Sequence, residues 1–203
     1  MKIVIIGASG RAGSRILKEA VDRGHSVTGI ARNPEKIPGG PGVVAKAGDV
    51  AEPGVLAPLL SGHDAIISSV RFAQSKFPNV IESAKRSGVK RLLVVGGASS
   101  LEISPGVRVF DAPSFPEAAR AEGGAGIAAL EELQKERELD WVFVSPGALL
   151  APGERTGTYR VGRDQLLKDE SGKSSISMED FAIAMIDELE NRKHSRERFH
   201  VAY

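Results

Sequence analysis

The sequence predicts an α/β fold built on a doubly wound parallel sheet, and three observations point to it. Lys2 to Ile6 is a short β-branched apolar run, which suits a strand covered on both faces. It runs directly into three glycines spaced three apart, Gly7, Gly10 and Gly13, and from Arg11 the pattern turns helical. Beyond that point strand-like runs alternate with amphipathic segments to the end of the chain, as in a parallel sheet flanked by helices.

A chain of 203 residues can bury one sizeable core, so a single domain spanning residues 1–203 is expected. The net charge of +1 and 41% hydrophobic content suit a soluble globular protein and give no electrostatic footprint for nucleic acid or a membrane surface. With no cysteine there is no disulfide and no thiolate metal site, and no metal is expected. No apolar run approaches the length of a membrane span, and Met1 and Lys2 lead straight into the first strand, so no signal peptide is expected. A cytoplasmic monomer or homodimer is the expectation.

In the first helix Ile16, Leu17, Ala20 and Val21 share a face opposite Arg15, Lys18, Glu19 and Asp22, and Gly24 stops it. The glycines before it let the backbone turn sharply, approach a pyrophosphate with no Cβ in the way, and pack the helix close to the strand. Around Ser9, Gly10, Arg11, Ala12 and Gly13, free amides at the helix start would bind the phosphate. The spacing is G-x-x-G-x-x-G rather than the commoner G-x-G-x-x-G, but the strand before it and the helix after it are the context a dinucleotide site requires. The fold is therefore expected to be of the Rossmann type.

Ser26 to Ala31 reads as the second strand, left through a turn, Arg32 to Lys36, that Pro34 enforces. An acidic residue near the end of this strand would accept hydrogen bonds from the adenosine ribose, whereas a 2′-phosphate calls for arginine. No Asp or Glu lies between Arg23 and Pro34; Arg32 stands there instead, and Arg11 could reach the same phosphate. This favours NADP over NAD. A Pro/Gly loop from Pro38 to Pro41 leads to a third strand, Val43 to Ala47, which ends at Gly48, Asp49 and Val50. Asp49, beside Val50, has two compatible readings: it accepts from the adenine amine, or it caps the helix Pro53 to Leu60. His63 reads as a turn residue.

Ala65 to Val70 reads as the fourth strand. Its end, Ser68, Ser69, Val70 and Arg71, falls where an open α/β sheet crosses from one half to the other. Small hydroxyl residues suit close packing against a cofactor, and equally suit strand positions with internally satisfied hydroxyls. A helix from Ser75 to Ser87 and a fifth strand, Arg91 to Val95, lead to a second glycine-rich terminus, Gly96, Gly97, Ala98 and Ser99. Two such termini on one edge imply a ligand across both, with Gly97 beside the cofactor and Ser99 near the nicotinamide or the substrate. Ser99 is the candidate reaction-site residue; the alternative is a serine that bonds only its own turn.

Glu102 to Gly126 reads as a long Pro/Gly-rich loop over the cleft, followed by a helix from Ala125 to Glu138. The sixth strand, Asp140 to Pro146, carries Trp141, read as packed at a strand edge, and delivers Pro146 to the cofactor side. Residues 146–176, with the loop Pro152 to Gly157, are expected to form a small substrate-side wall. Ser177 and Asp180 form the capping pattern of a last helix bearing Phe181, Met185 and Leu189. Arg192 to Arg198 reads as a solvated basic turn, and Phe199 to Tyr203 as an added edge strand.

These motifs resemble the atypical short-chain dehydrogenase/reductases of the NmrA-like group, and most closely the NAD(P)H-flavin reductases. The resemblance spans nearly the whole chain and rests on Gly7-Ala-Ser-Gly10-Arg-Ala-Gly13, Ala31-Arg32-Asn-Pro-Glu-Lys36, Gly48-Asp49-Val50, Val94-Val-Gly-Gly-Ala-Ser99, Asp140-Trp-Val-Phe-Val-Ser-Pro146 and Pro152-Gly-Glu-Arg-Thr-Gly157. It implies a bound NADP or NAD, a serine at the place of Ser99, and hydride transfer to flavins, quinones or biliverdin-like acceptors. The wider dehydrogenase family reduces carbonyls with a tyrosine and a lysine four residues later. That pair is missing here: Tyr159 is followed four later by Arg163, and Tyr203 is the last residue. Flavin reduction has less need of a tuned acid, because hydride passes between stacked rings and solvent can supply the proton. The expectation is an NADPH-dependent reductase of a flavin, quinone or similar planar acceptor. The alternatives are a non-catalytic NADP-sensing regulator that binds a protein partner, and a sugar epimerase or dehydratase, which the missing tyrosine disfavours.

Overall fold

Strand β1 (Lys2–Ile6) is buried on both faces: Ile3 and Ile5 pack into one apolar layer, Val4 and Ile6 into the other, and none is more than 3% exposed. Each such side chain contributes about 1.5–3 kcal/mol on burial. The computed structural model describes residues 1–203. After β1 the chain runs through α1 (Arg11–Asp22), β2 (Ser26–Ala31), β3 (Val43–Ala47), α2 (Pro53–Leu60), β4 (Ala65–Ser68), α3 (Phe77–Ser87) and β5 (Arg91–Val95). A short hairpin, β6 (Glu102–Ser104) and β7 (Val107–Arg108), precedes α4 (Arg120–Lys135) and β8 (Asp140–Pro146). The last part holds β9 (Leu149–Ala151), β10 (Arg160–Gly162), β11 (Ser175–Ser177), α5 (Met178–Asn191) and β12 (Glu197–Ala202).

The central sheet has eight strands in the order β10-β12-β8-β5-β4-β1-β2-β3. All neighbours are parallel except β10, which pairs antiparallel with β12. Helices α1 and α5 cover one face, and α2, α3 and α4 cover the other. The chain winds outward from β1 through β2 to β3, then crosses back to β4 on the other side of β1. The carboxyl ends of β1 and β4 therefore diverge into opposite connections and leave a crevice between them. No helix is long and apolar enough to cross a membrane.

Several elements differ from the sequence reading. Phe199 to Tyr203 belongs to an inner strand: β12 lies between β8 and β10, and the edge is the three-residue β10, too short to show a periodic pattern. Trp141 is accordingly buried at 2% exposure in the interior strand β8. The stretch from Glu102 to Gly126 is not one loop. It contains the hairpin, two 3₁₀ turns (Val109–Asp111 and Glu117–Ala119) and the first two turns of α4, which begins at Arg120 rather than Ala125. The glycines there are helical because other side chains occupy the space of their missing Cβ atoms. At Gly123 a Cβ would lie 2.7 Å from Ser99 Oγ and 2.9 Å from the Phe115 ring, and at Gly126 3.2 Å from the Phe72 ring. Strand β4 ends at Ser68, and a 3₁₀ turn, Phe72–Gln74, precedes α3. His63 is a turn residue, its ring between the Leu60 carbonyl and the Thr28 hydroxyl, at 2.9 Å from each.

One ion pair is deeply buried beneath this frame. Arg91 on β5 donates to Glu188 on α5 at 2.6 Å, and both side chains are 3% exposed. Arg91 also reaches Asp140 and the His194 carbonyl, while Glu188 accepts from the His194 backbone at 3.1 Å. Removing one partner of such a pair strands a desolvated charge. Glu188→Ala is therefore expected to cost about 3–5 kcal/mol of unfolding free energy in a urea titration. A loss below about 1 kcal/mol, the range of an exposed ion pair, would show that Arg91 finds full compensation elsewhere.

Candidate functional site

The turn between β1 and α1 is held by its own backbone. Both Gly7 and Ala8 amides donate to the Ile30 carbonyl on β2, at 2.8 and 3.2 Å, and the Gly7 carbonyl accepts from Gly10 at 3.0 Å. Gly7 adopts a positive φ of 84°, and a Cβ there would lie 2.5 Å from the Ser69 carbonyl oxygen. At Gly13 a Cβ would lie 2.2 Å from the Gly7 carbonyl oxygen, so only glycine lets α1 sit this close to β1. No side chain caps α1, and the amides of Arg11, Ala12 and Gly13 have no acceptor within the chain. These donors face out along the helix axis at its positive end, where an anion is favoured.

A cleft of about 240 Å³ opens at this turn. Gly7, Ser9 and Gly10 line it from the glycine turn, Ala31 and Arg32 from the end of β2, Asp49 and Val50 from beyond β3, and Ser69, Val70, Arg71, Gln74 and Ser75 from beyond β4. Arg32 is exposed and forms no ion pair, so its guanidinium is free for a ligand. Asp49 does not cap α2, whose N-cap position is Glu52 without a side-chain bond; its Oδ1 instead accepts from the Ala51 amide at 2.9 Å and fixes the turn that brings Asp49 and Val50 to the cleft. The glycine cradle, the open helix amides and the free arginine suit a dinucleotide with an anionic pyrophosphate.

A second cleft of about 140 Å³ lies further along the same sheet edge, lined by Phe72, Gly96, Gly97, Ser99, Ser100, Ala119, Glu122, Gly123 and Gly126. Its floor is glycine because Phe143 occupies the space below: a Cβ at Gly96 would lie 2.3 Å from that ring. The Ser99 carbonyl accepts from Phe110 at 3.1 Å, which anchors the turn, while its hydroxyl faces Gly123. The segment from Ser69 to Ser75 runs between the two clefts as a common wall: Ser69, Val70, Arg71, Gln74 and Ser75 line the first and Phe72 the second.

The structure thus brings Gly7, Ser9, Gly10, Arg32, Asp49, Val50, Ser69 and Val70 together in the first cleft, and Gly97 and Ser99 in the second. Arg11 and Ala12 belong to the helix start, and Gly13 lies buried against Gly7. Ser68 and Pro146 are buried at strand ends and line neither cleft. Gln74, Ser75 and Glu122 were not legible as site residues. Glu122 falls within the stretch read as a Pro/Gly-rich loop, and only the tertiary fold brings it to Phe72.

None of residues 146–176 lines either cleft. The loop from Pro152 to Gly157 is bound instead to the face made by α1 and α5. Arg155 forms a two-pronged pair with Glu19, Gly153 donates to Glu179 at 2.8 Å, and Thr156 and Gly157 donate to Asp180 at 2.6 and 2.8 Å. The two tyrosines are engaged on the same face. Tyr159 donates to Asp187 at 2.5 Å, and burial together with that carboxylate pushes its phenol well above the usual range. Tyr203 donates to Asp180 at 2.7 Å.

Residues 7–192 match the model of a family described as NAD(P)H-binding. The chain is 38% identical to YwnB of Bacillus subtilis (strain 168), an uncharacterized protein, over 214 aligned residues that cover 99% of this chain and 98% of YwnB. Among solved structures it is similar to a "putative epimerase" from Bacteroides thetaiotaomicron, with a TM-score of 0.95 and 44% identity over 100% of this chain and 96% of that one. It is also similar to a "putative NADH-flavin reductase" from Streptococcus pneumoniae TIGR4, with a TM-score of 0.86 and 34% identity over 100% and 99% of the two chains.

The Asp180 cluster sets an acid limit on the docked loop. Burial raises this carboxyl, but hydrogen bonds from Thr156, Tyr203 and Gly157 outweigh it and hold the group below its ordinary 3.8. A depressed carboxyl stabilises the fold above pH 3.8 and loses that contribution as the pH falls through its lowered folded value. Asp180→Asn should therefore cost about 1.5–3 kcal/mol at pH 7, with the gap to the parent narrowing in acid. Urea midpoints at both pH values check this, and a gap independent of pH would refute it.

Proposed function

This chain belongs to the NAD(P)H-binding family, and from that premise we propose that it is an NADPH-dependent reductase delivering hydride to a flavin, quinone or similar planar acceptor. The observation that carries the reading is that neither cleft contains a tyrosine, lysine or histidine. Asp49 accepts from a backbone amide, and so does Glu122 from two, so both carboxylates are already engaged as acceptors in holding turns. An acceptor that takes hydride at a ring atom and completes its protonation from water fits such a site; a carbonyl or sugar substrate, which needs a positioned acid, does not. When bound, the reduced nicotinamide supplies the hydride.

The residues divide the work. Gly7, Ser9 and Gly10, with the amides of Arg11 and Ala12, would hold the pyrophosphate, and Asp49 and Val50 would flank the adenine. Arg32 would pair with the 2′-phosphate, the feature that selects NADP. Ser99 and the glycine floor would orient a flat ring, with Ser99 Oγ as the donor within reach of a developing negative charge. Holding two rings in register supplies the rate, through orientation rather than acid catalysis.

The decisive measurement is oxidation of NADPH and NADH by the purified protein with riboflavin, FMN, a quinone and no added acceptor. Turnover that depends on the acceptor and is faster with NADPH is expected; dinucleotide binding without turnover on any of these would overturn the reductase reading. For the cofactor preference, Arg32→Asp removes a charge-assisted contact of about 1.5–3 kcal/mol, so KM for NADPH should rise about 10-fold to 100-fold while KM for NADH changes little. Equal losses for both dinucleotides would show that Arg32 does not meet the 2′-phosphate.

A further inference from the structure

The wall shared by the two clefts is held from one side by a single carboxylate. Glu122, in the first turn of α4, accepts from the Phe72 amide at 2.8 Å with one oxygen and from the Ala73 amide at 3.0 Å with the other. Its second oxygen lies 3.8 Å from Arg71 Nε. Phe72 is fixed in the core, stacked on Phe143 at 6.0 Å and edge-on to Phe77 at 5.5 Å. In the first turn of α4, Gly123 packs toward Ser99 and Phe115, and the other polar contacts stay at the surface: Arg120 pairs with Glu117 and lies over Phe110 and Phe115. Glu122 is therefore the polar tie between α4 and the core-anchored turn, and its neighbour Gly123 meets Ser99 Oγ.

Arg71 stands between two claims. Its side chain is 66% exposed, it lines the dinucleotide cleft, and its contact with Glu122 is loose. An anionic group in that cleft would compete for the guanidinium, leaving the Glu122 carboxylate to the Phe72 and Ala73 amides alone. The acceptor capacity of the carboxylate would then be given wholly to those two amides.

We propose that Glu122 is a positioning residue that couples the two clefts: dinucleotide binding draws Arg71 from Glu122, and the carboxylate then clamps the first turn of α4, with Gly123, against Ser99. The acceptor cleft is thereby shaped only when the cofactor is in place. The proposal rests on the reading of the first cleft as a dinucleotide site and does not require the acceptor to be known.

Hydrogen exchange followed by mass spectrometry tests it, with NADPH as the probe at saturating concentration. In the unaltered protein, NADPH should slow exchange both at residues 7–14 and at residues 119–126, the latter by about 5-fold or more, the lower range of measured couplings between sites. In Glu122→Gln, which keeps the shape but replaces one acceptor oxygen with a donor NH₂, protection at 7–14 should persist and that at 119–126 should fall below about 2-fold. A purely structural role would instead raise exchange at 119–126 equally with and without NADPH. Arg71→Ala retains both amide bonds to Glu122 and should also abolish the NADPH response at 119–126, which keeps the test open if Glu122→Gln does not fold. Protection that reaches 119–126 undiminished in either folded variant overturns the coupling. Absence of protection at 7–14 in the unaltered protein overturns the dinucleotide reading, and the coupling with it.

Discussion

The whole arrangement depends on a backbone approach that a side chain would forbid. Helix α1 meets strand β1 at the Gly7 carbonyl, with the Gly13 Cα where any Cβ would overlap the oxygen. This contact sets the distance from α1 to the sheet, leaves the uncapped start of the helix next to the glycine turn that lines the cleft, and holds the turn against the Ser69 carbonyl across the sheet crossover. Everything on that face is referenced to α1. Arg15 reaches Glu179, Arg23 reaches Asp187 and Glu190, and Glu19 receives Arg155, so α5 and the loop from Pro152 to Gly157 dock onto a helix already fixed by glycine.

The second cleft repeats the device on the opposite face. Gly96 makes room for the Phe143 ring, and Gly123 and Gly126 let α4 settle over Ser99 and Phe72. In both places glycine converts close packing into an open polar edge, at the expense of helix propensity. The two clefts are not independent, because the segment from Ser69 to Ser75 forms a wall of each. A structural change that moves Phe72 would be felt by both.

What was legible in the chain follows from how local each signal is. The turn at Gly7, Gly10 and Gly13 declares itself because strand, turn and helix are contiguous in sequence, and Ser177 caps α5 through Asp180 at 2.9 Å as its spacing implies. Arg32 was legible for the same reason, standing at the end of a recognisable strand. The glycines at 123, 124 and 126 misled because propensity counts them against a helix, whereas the rings of Phe110, Phe115 and Phe72 supply the contacts that stabilise it. The order of strands is wholly non-local: nothing between Glu197 and Ala202 reveals that Arg160–Gly162 will pair outside it. Glu122 was invisible for the same reason, since its partners lie 49 and 50 residues away.

The disposition of the tyrosines bears on what chemistry the clefts can support. Both phenols lie on the α5 side of the molecule, Tyr159 donating to Asp187 and Tyr203 to Asp180, and neither lines the dinucleotide cleft or the cleft beside Ser99. Tyr159 is also hard to ionise, because burial and the Asp187 carboxylate both oppose a phenolate. A residue so held acts as a post that ties β10 and the preceding loop to α5, not as an acid exchanging protons with a substrate. The polar groups left at the clefts are serine hydroxyls, backbone amides, the Gln74 amide, two carboxylates already serving as acceptors, and the guanidinium groups of Arg32 and Arg71. Such groups bind anions and orient rings. No tyrosine, lysine or histidine stands among them, so this edge lacks the positioned tyrosine and lysine that carbonyl reduction uses.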